Sequence, residues 1–160
     1  MKSWMRRSLI AVGVVGVLIQ FVPYGRDHVN PPVTMEPAWD TPRTRELADR
    51  ACFDCHSNAT RWPWTSHVAP LSWLIQHDVD EGRQHLNFSE FDRRQKNAED
   101  AAEEFAEGEM PPKQYLLAHS EARLSDAERS DLIRGLRATL GDEDEGGGGD
   151  DDGGRRRRGR

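Results

Sequence analysis

The only two cysteines of the chain, Cys52 and Cys55, are followed directly by His56. This C-x-x-C-H pattern is typical of covalent haem attachment, in which two thiols add to the vinyl groups of one haem. The adjacent imidazole then binds the iron. A chain that uses this motif for haem must fold around a large, flat and mostly apolar group. Two cysteines also exclude a fold that several disulfides hold together.

Two other kinds of site use the same cysteine spacing. A tetrahedral zinc site needs four ligands, so histidines elsewhere in the chain would have to join the two thiols. The candidates are His67, His77, His85 and His119. A thioredoxin-like dithiol is expected beside a strand of a βαβ unit, whereas a helical pattern precedes Cys52. Haem attachment is the interpretation that the sequence favours, and both alternatives stay open.

Met110 is the best candidate for a second axial ligand of the haem iron. It is the only methionine after Met35, and it lies in the Gly-Glu-Met-Pro-Pro segment 108–112. Glycine and proline make this segment non-helical and stiff, which suits a thioether held against a haem face. A lone methionine is more often a core filler. The alternatives are a histidine, with His67 and His119 as first candidates, or an open position.

The composition also favours a bound apolar group. Only 36% of the residues are apolar, and part of these lie in one N-terminal run. The rest of the chain therefore has few ordinary core residues, and a haem would supply the missing apolar surface. Aromatic side chains are the candidate walls of its pocket, and they are Trp62, Trp64, Trp73, Phe53, Phe88, Phe91 and Phe105.

Helical patterns fill the predicted domain, residues 39–140. Thr41 followed by Pro42 predicts the start of a helix that runs towards the first cysteine. Apolar residues at helical spacing predict a second helix over 70–81, with Gly82 as its stop signal.

Two more helices follow. An Ala- and Glu-rich helix is predicted over 98–107, ended by Gly108. Ser125 and Glu128 form a capping-box pattern that opens a last helix, which ends before Gly141. No segment alternates in the manner of a strand, so the predicted fold class is all-α.

The N-terminus has the pattern of a membrane signal. Lys2, Arg6 and Arg7 precede the apolar run 9–22, which only Gln20 interrupts. No small residues follow the run in the A-x-A pattern of a cleavage site, so the sequence favours an uncleaved anchor over a signal peptide. The positive-inside rule then places the rest of the chain outside the cytoplasm.

The chain is thus predicted to have four parts. Residues 1–24 form a membrane helix, 25–38 a Pro-rich linker, and 39–140 the helical domain. Residues 141–160 contain Gly, acidic residues and Arg but no apolar residue, so this tail is predicted to be disordered.

Several further motifs resemble one known family. They are CFDCHSN at 52–58, WPW at 62–64, SWL at 72–74, LNFS at 86–89 and MPP at 110–112. Over most of residues 20–140 the chain resembles the bacterial haem-binding domain family, small membrane-anchored proteins related to cytochrome c. The resemblance implies a small cytochrome c-like helical domain around one covalently attached haem.

Particular residues match the family's pattern. The resemblance implies haem c bonded to Cys52 and Cys55, with His56 as the proximal ligand. It matches Met110 with the Met-Pro of cytochrome c distal segments. It also matches Pro70 with the proline whose carbonyl accepts the N–H of the proximal histidine.

The net charge of the chain indicates which binding partners it is suited to. The net charge of -6 argues against nucleic-acid binding and favours a redox partner protein with a basic docking patch. We therefore expect a one-electron carrier, not an enzyme, at the outer, periplasmic face of a bacterial cytoplasmic membrane. A haem-based sensor with a weak or open distal site is the alternative. A small peroxidase is a weaker one, and its candidate distal groups are Arg61, His67 and Arg83.

Overall fold

The computed structural model describes residues 2–141. Residues 142–160, almost all of the predicted tail, lie outside the described residues. Within 2–141 the regular elements are seven α-helices with no strand, which confirms the all-α prediction. The helices are α1 Ser3–Leu18, α2 Pro42–Ala51, α3 Phe53–His56, α4 Leu71–His85, α5 Ala101–Glu107, α6 Lys113–Ala118 and α7 Asp126–Leu140. Short 3₁₀ turns lie at Ile19–Phe21, Trp64–His67 and Ser120–Ala122.

Helix α1 stands apart from the packed domain. None of its residues is buried, although nearly all of them from Leu9 onwards are apolar. With the turn that follows, Ser3–Phe21 is long and apolar enough to cross a membrane. A helix that is apolar all round and uncovered fits lipid rather than water. Its length and composition suit a membrane anchor and a signal sequence alike.

The core of the domain lies where α2, α5 and α7 meet. Leu47 of α2 and Leu132 and Leu136 of α7 are almost completely buried, and Phe105 of α5 packs with them. Helices α2 and α7 come very close at Gly135, where a Cβ atom would lie 2.1 Å from Thr44 Oγ1. This core holds α2 in place, and α2 leads directly into the cysteine motif.

The helix starts follow the predicted local signals. Thr41 Oγ1 accepts a hydrogen bond from Thr44 N at 3.1 Å and caps α2. Ser125 and Glu128 form the predicted capping box of α7. The Glu128 carboxylate also accepts a hydrogen bond from Arg50 at 2.6 Å, which ties the start of α7 to α2. These bonds hold the pKa of Glu128 at about 2, below its usual range, with the Arg50 bond as the largest cause.

One predicted boundary is wrong. Helix α4 does not stop at Gly82 but continues to His85. A Cβ atom at Gly82 would lie 2.5 Å from the carbonyl oxygen of Cys55, so the glycine permits a close contact with α3. Gly82 lies inside α4 because α3 packs closely against it there. In the sequence, such a glycine cannot be distinguished from one that ends a helix.

The α5 boundary is partly as predicted. The helix ends at Gly108, whose φ of 81° is the left-handed conformation of a C-cap, but it begins at Ala101. Neither α3 nor α6 was expected from the pattern.

The segment 25–38, predicted as a linker, is extended but lies against the domain. Asn30 Nδ2 donates to Thr60 O at 2.9 Å, and Arg83 Nη1 donates to Val29 O at 2.9 Å. Further along, Thr34 N donates to Ser89 O at 2.9 Å. The segment therefore fixes the domain near the end of α1 instead of spacing the two apart.

Candidate haem site

A single cavity brings together the two motifs that the sequence analysis selected. It has a volume of about 510 Å³, within the ~300–1,000 Å³ typical of small-molecule sites. Cys52, Cys55 and His56 line it, and so do Met110 and its two following prolines. Its apolar lining is completed by Ala51, Leu86, Phe88, Ala101, Phe105 and Leu136. The cavity thus combines two thiols, an imidazole, a thioether and apolar walls, a set that fits a haem.

His56 is held by a backbone hydrogen bond. Its Nδ1 lies 3.0 Å from Leu86 O, so Nδ1–H donates and Nε2 is the nitrogen left to bind a metal. Phe88 N donates to His56 O at 2.8 Å, so the segment after α4 holds both the side chain and the backbone of His56. Burial is the largest cause that lowers the imidazole pKa, which favours the neutral, metal-binding form.

The carbonyl that orients His56 is not the one predicted. The resemblance assigned this role to Pro70, but Pro70 O accepts from Trp73 N at 3.1 Å inside the first turn of α4. Leu86 O takes the role instead, because α4 continues past Gly82 and its end delivers Leu86 to the imidazole.

Met110 reaches the cavity from the end of α5. Its N–H and that of Glu109 both donate to Glu104 O, at 3.2 and 3.1 Å. Pro111 is buried, whereas the Met110 side chain is partly exposed. The chain therefore leaves α5 by a hydrogen-bonded turn that directs the Met-Pro-Pro segment to the cavity wall.

The predicted tryptophan walls lie elsewhere. Neither Trp62, Trp64 nor Trp73 lines the cavity, and neither does Pro70. Trp62 stacks on His28 with ring centroids 4.8 Å apart, and Trp64 is 77% exposed. Of the aromatic candidates, Phe88 and Phe105 do line the cavity, and Phe53 and Phe91 pack behind Phe88.

Residues 14–138 match the family model of the haem-binding domain. The chain belongs to this family. It is a haem-binding protein, and the resemblance drawn from its motifs is confirmed. Comparisons with curated proteins and with solved structures gave no significant match.

In this haem-binding domain the two thiols are neutral at physiological pH. Burial is the main reason that the pKa of both Cys52 and Cys55 is raised to about 12. Dithiol exchange needs a thiolate, so the raised pKa disfavours that alternative. Among residues 2–141, no group of three or more His, Cys, Asp or Glu side chains could hold a metal ion. Within these residues, no further side chains join Cys52 and Cys55 in the way that a tetrahedral zinc site needs.

A buried carboxylate inside the cysteine motif joins it to α6. Asp54, between the two cysteines, accepts from Arg61 N at 3.0 Å and from Arg61 Nε at 2.9 Å. Its other oxygen accepts from Tyr115 OH at 2.8 Å. Tyr115 lines the cavity in the helix that follows Met110-Pro-Pro, and burial raises its pKa. Asp54 thus ties the segment that follows Met110 to the C-x-x-C-H motif. Sequence reasoning missed this pair because only the tertiary fold brings the two residues together.

Removal of the tyrosine hydroxyl should loosen the distal segment. In Tyr115→Phe, one oxygen of the buried Asp54 loses its partner, and a hydrogen bond to a charged group is worth about 1.5–3 kcal/mol. We expect a loss of stability of that order in denaturant unfolding. Tyr24→Phe is the matched control, because Tyr24 OH bonds the exposed Asp80 at 3.3 Å. Equal effects of the two substitutions would contradict the assigned role.

The cavity has an acidic rim. Four carboxylate residues line it alongside the apolar walls, namely Asp78, Glu81, Asp100 and Glu104. Among the residues that the structure describes, no lysine or arginine lines this cavity. The pKa of Asp78 is raised, mainly by burial. The entrance to the haem site therefore carries negative charge.

Proposed function

We propose that this haem-binding domain carries one c-type haem and transfers single electrons at the outer face of a cytoplasmic membrane. The haem would be bonded through Cys52 and Cys55, with His56 and Met110 as axial ligands of the iron. The observation that carries the proposal is the single cavity shared by the C-x-x-C-H and Met-Pro-Pro motifs.

Covalent attachment is the best use of the two thiols. They lie in one cavity with the imidazole that follows them, and neutral buried thiols do not suit disulfide exchange. In this haem-binding domain, a pair of cysteines at this spacing, followed by a histidine, would be the source of two thioether bonds.

Electron transfer is the best use of a haem with two protein ligands. A bound haem supplies a one-electron iron couple, and two axial side chains leave no iron position for a substrate. The residues of this chain would then set the ligand field, exclude water and present a charged rim to a partner. Among the peroxidase candidates of the sequence, Arg61, His67 and Arg83 all lie outside the cavity lining.

The anchor role of α1 completes the proposal. Lys2, Arg6 and Arg7 precede the exposed apolar helix, and cations of this kind stay on the cytoplasmic side. The domain would then stand on the opposite side, where c-type haem attachment takes place. A sensor with an open distal site remains the second candidate, favoured by the partial exposure of Met110.

The acidic rim provides a test of electron transfer. Glu104→Lys should slow oxidation of the reduced protein by a cationic cobalt complex several-fold and accelerate oxidation by ferricyanide, because charge at the site of contact steers encounter. Stopped-flow kinetics at low and high salt would measure both rates. Glu103→Lys is the matched control, since it makes the same charge change one residue away and outside the cavity lining. Equal rates in the two variants would show that electrons do not leave through this rim.

A further inference from the structure

An exposed apolar patch lies beside the end of α1. Trp64, Val68, Leu71 and Leu74 are all at least 42% exposed and follow one another closely in the chain. Leu71 and Leu74 are neighbours on one face of α4, because helix residues three apart lie side by side. We call these four side chains the apolar patch. A concentration of exposed apolar side chains on a polar domain marks an interaction surface.

Gln20 joins this patch to the apolar helix. Its side-chain amide donates to Ala69 O at 2.9 Å and accepts from Ala69 N at 3.1 Å. Ala69 lies between Val68 and Leu71, so the bonds hold the patch at the level of Gln20. A second contact follows at Gly25, where a Cβ atom would lie 2.3 Å from Ser72 O. The domain is therefore fastened directly at the exit of α1.

The length of the apolar helix sets the depth of this contact. Sixteen residues of α1 and the three of the following turn extend ~30 Å, at ~1.5 Å per α-helical and ~2 Å per 3₁₀ residue. This equals the ~30 Å thickness of a bilayer's hydrocarbon core. With Ser3 at one boundary, Phe21 reaches the other boundary. Arg6 and Arg7, one turn into the helix, then extend their guanidinium groups back to the headgroups on the first side. Gln20 and the Ala69 backbone then lie at the level of the headgroups.

We propose that the apolar patch lies in the headgroup region of the membrane that α1 spans, and that it seats the domain on the lipid surface. The inference rests on the proposed anchor role of α1. Lipid is the fitting occupant because the patch continues the apolar surface of the membrane helix at the depth where tryptophan concentrates. Burial of apolar side chains in this region is the usual way in which a surface element binds a bilayer.

This seat would fix the position of the haem cavity. Leu71, Leu74, Asp78 and Glu81 are three or four residues apart, so the patch and the cavity rim share one face of α4. Asp78 is seven residues beyond Leu71, which is ~10 Å along a helix. Asp78, the first rim residue along α4, therefore lies at most about 10 Å farther from the lipid than Leu71 does. A partner that reaches the rim must itself lie at the membrane surface.

Spin-label accessibility in the holoprotein, reconstituted in nanodiscs, tests the seat. Full-length chains carrying Leu71→Cys, Val14→Cys or Leu117→Cys are labelled, and collisions with oxygen and with a water-soluble nickel chelate are measured. Leu117 in α6 is 81% exposed and lies outside the patch. Val14 reports on α1 itself. The unsubstituted chain corrects for any labelling of Cys52 and Cys55.

We expect the ratio of oxygen to nickel collisions at position 71 to be lower than that at 14, which lies near the bilayer centre, and to exceed that at 117 several-fold. If the collision ratio at position 71 equals that at 117 while position 14 is in lipid, the apolar patch does not contact the membrane, although α1 still spans it. Position 71 shielded from both reagents would mean that protein covers the patch, such as a second copy of the chain, and would overturn the inference. Nickel access at position 14 would overturn the anchor and the seat together.

Discussion

Replacement of Met110 with alanine should open one axial position of the haem iron. The ferric protein should change from low spin towards high spin, and the ferrous protein should bind CO readily. The reduction potential should fall by on the order of 0.1 V, a modest part of the ~0.8 V over which axial ligands tune haem. The physical reason is that a thioether stabilises ferrous iron, and no other side chain of the Met-Pro-Pro segment can replace it.

Two further variants make this result interpretable. Met35→Ala removes another partly exposed methionine that lies outside the cavity, and should leave spectra and potential unchanged. Met110→His should restore a low-spin iron at a lower potential, as expected for two imidazole ligands. Optical spectra and a redox titration of all four proteins are the measurements. If Met110→Ala matches the unsubstituted protein in both, Met110 is not a ligand, and the sensor interpretation gains support.

Substitution of both cysteines by serine should abolish covalent haem attachment. After denaturation, Cys52→Ser/Cys55→Ser should release all of its haem, whereas the unsubstituted chain should retain it. Each single variant should keep one thioether and show a haemochrome band displaced towards that of free haem. His56 and Met110 still line the cavity in the double variant. Haem can therefore still bind there without a covalent bond, and the two kinds of binding can be distinguished.

The measurement is haem that remains with the polypeptide on a denaturing gel, combined with the intact mass. The two single variants serve as controls for each other, since they change neighbouring thiols of the same cavity by one atom. Haem that survives denaturation in the double variant would exclude the cysteines as attachment points. If one single variant loses as much haem as the double variant and the other loses none, only one sulfur attaches the haem.

Local signals predicted much of the fold. The caps at Thr41 and Ser125 and the left-handed Gly108 depend on neighbours within four residues, so they can be read directly from sequence. Gly82 was misread because its role comes from Cys55, which is distant in sequence and packs against it. In sequence, a glycine that ends a helix cannot be distinguished from one that allows a neighbouring backbone to approach closely.

The site was predictable where the chemistry is local. The C-x-x-C-H spacing alone indicates haem, and the rigid Gly- and Pro-containing segment around Met110 indicates an axial ligand. The structure brings both motifs to one cavity. Depth from the surface is not local, so the exposed Trp64 was chosen as a wall as readily as the buried Phe105. The same limit applies to the carbonyl that orients His56, since Leu86 reaches it only through the extra turn of α4.

A pyridine-haemochrome spectrum of the denatured protein, made with cytochrome c maturation, tests the central claim most directly. Haem bonded to Cys52 and Cys55 should remain with the unfolded chain and give a c-type band at one haem per polypeptide. Haem that separates completely from the chain, under conditions in which a known c-type protein retains its own, would contradict covalent attachment.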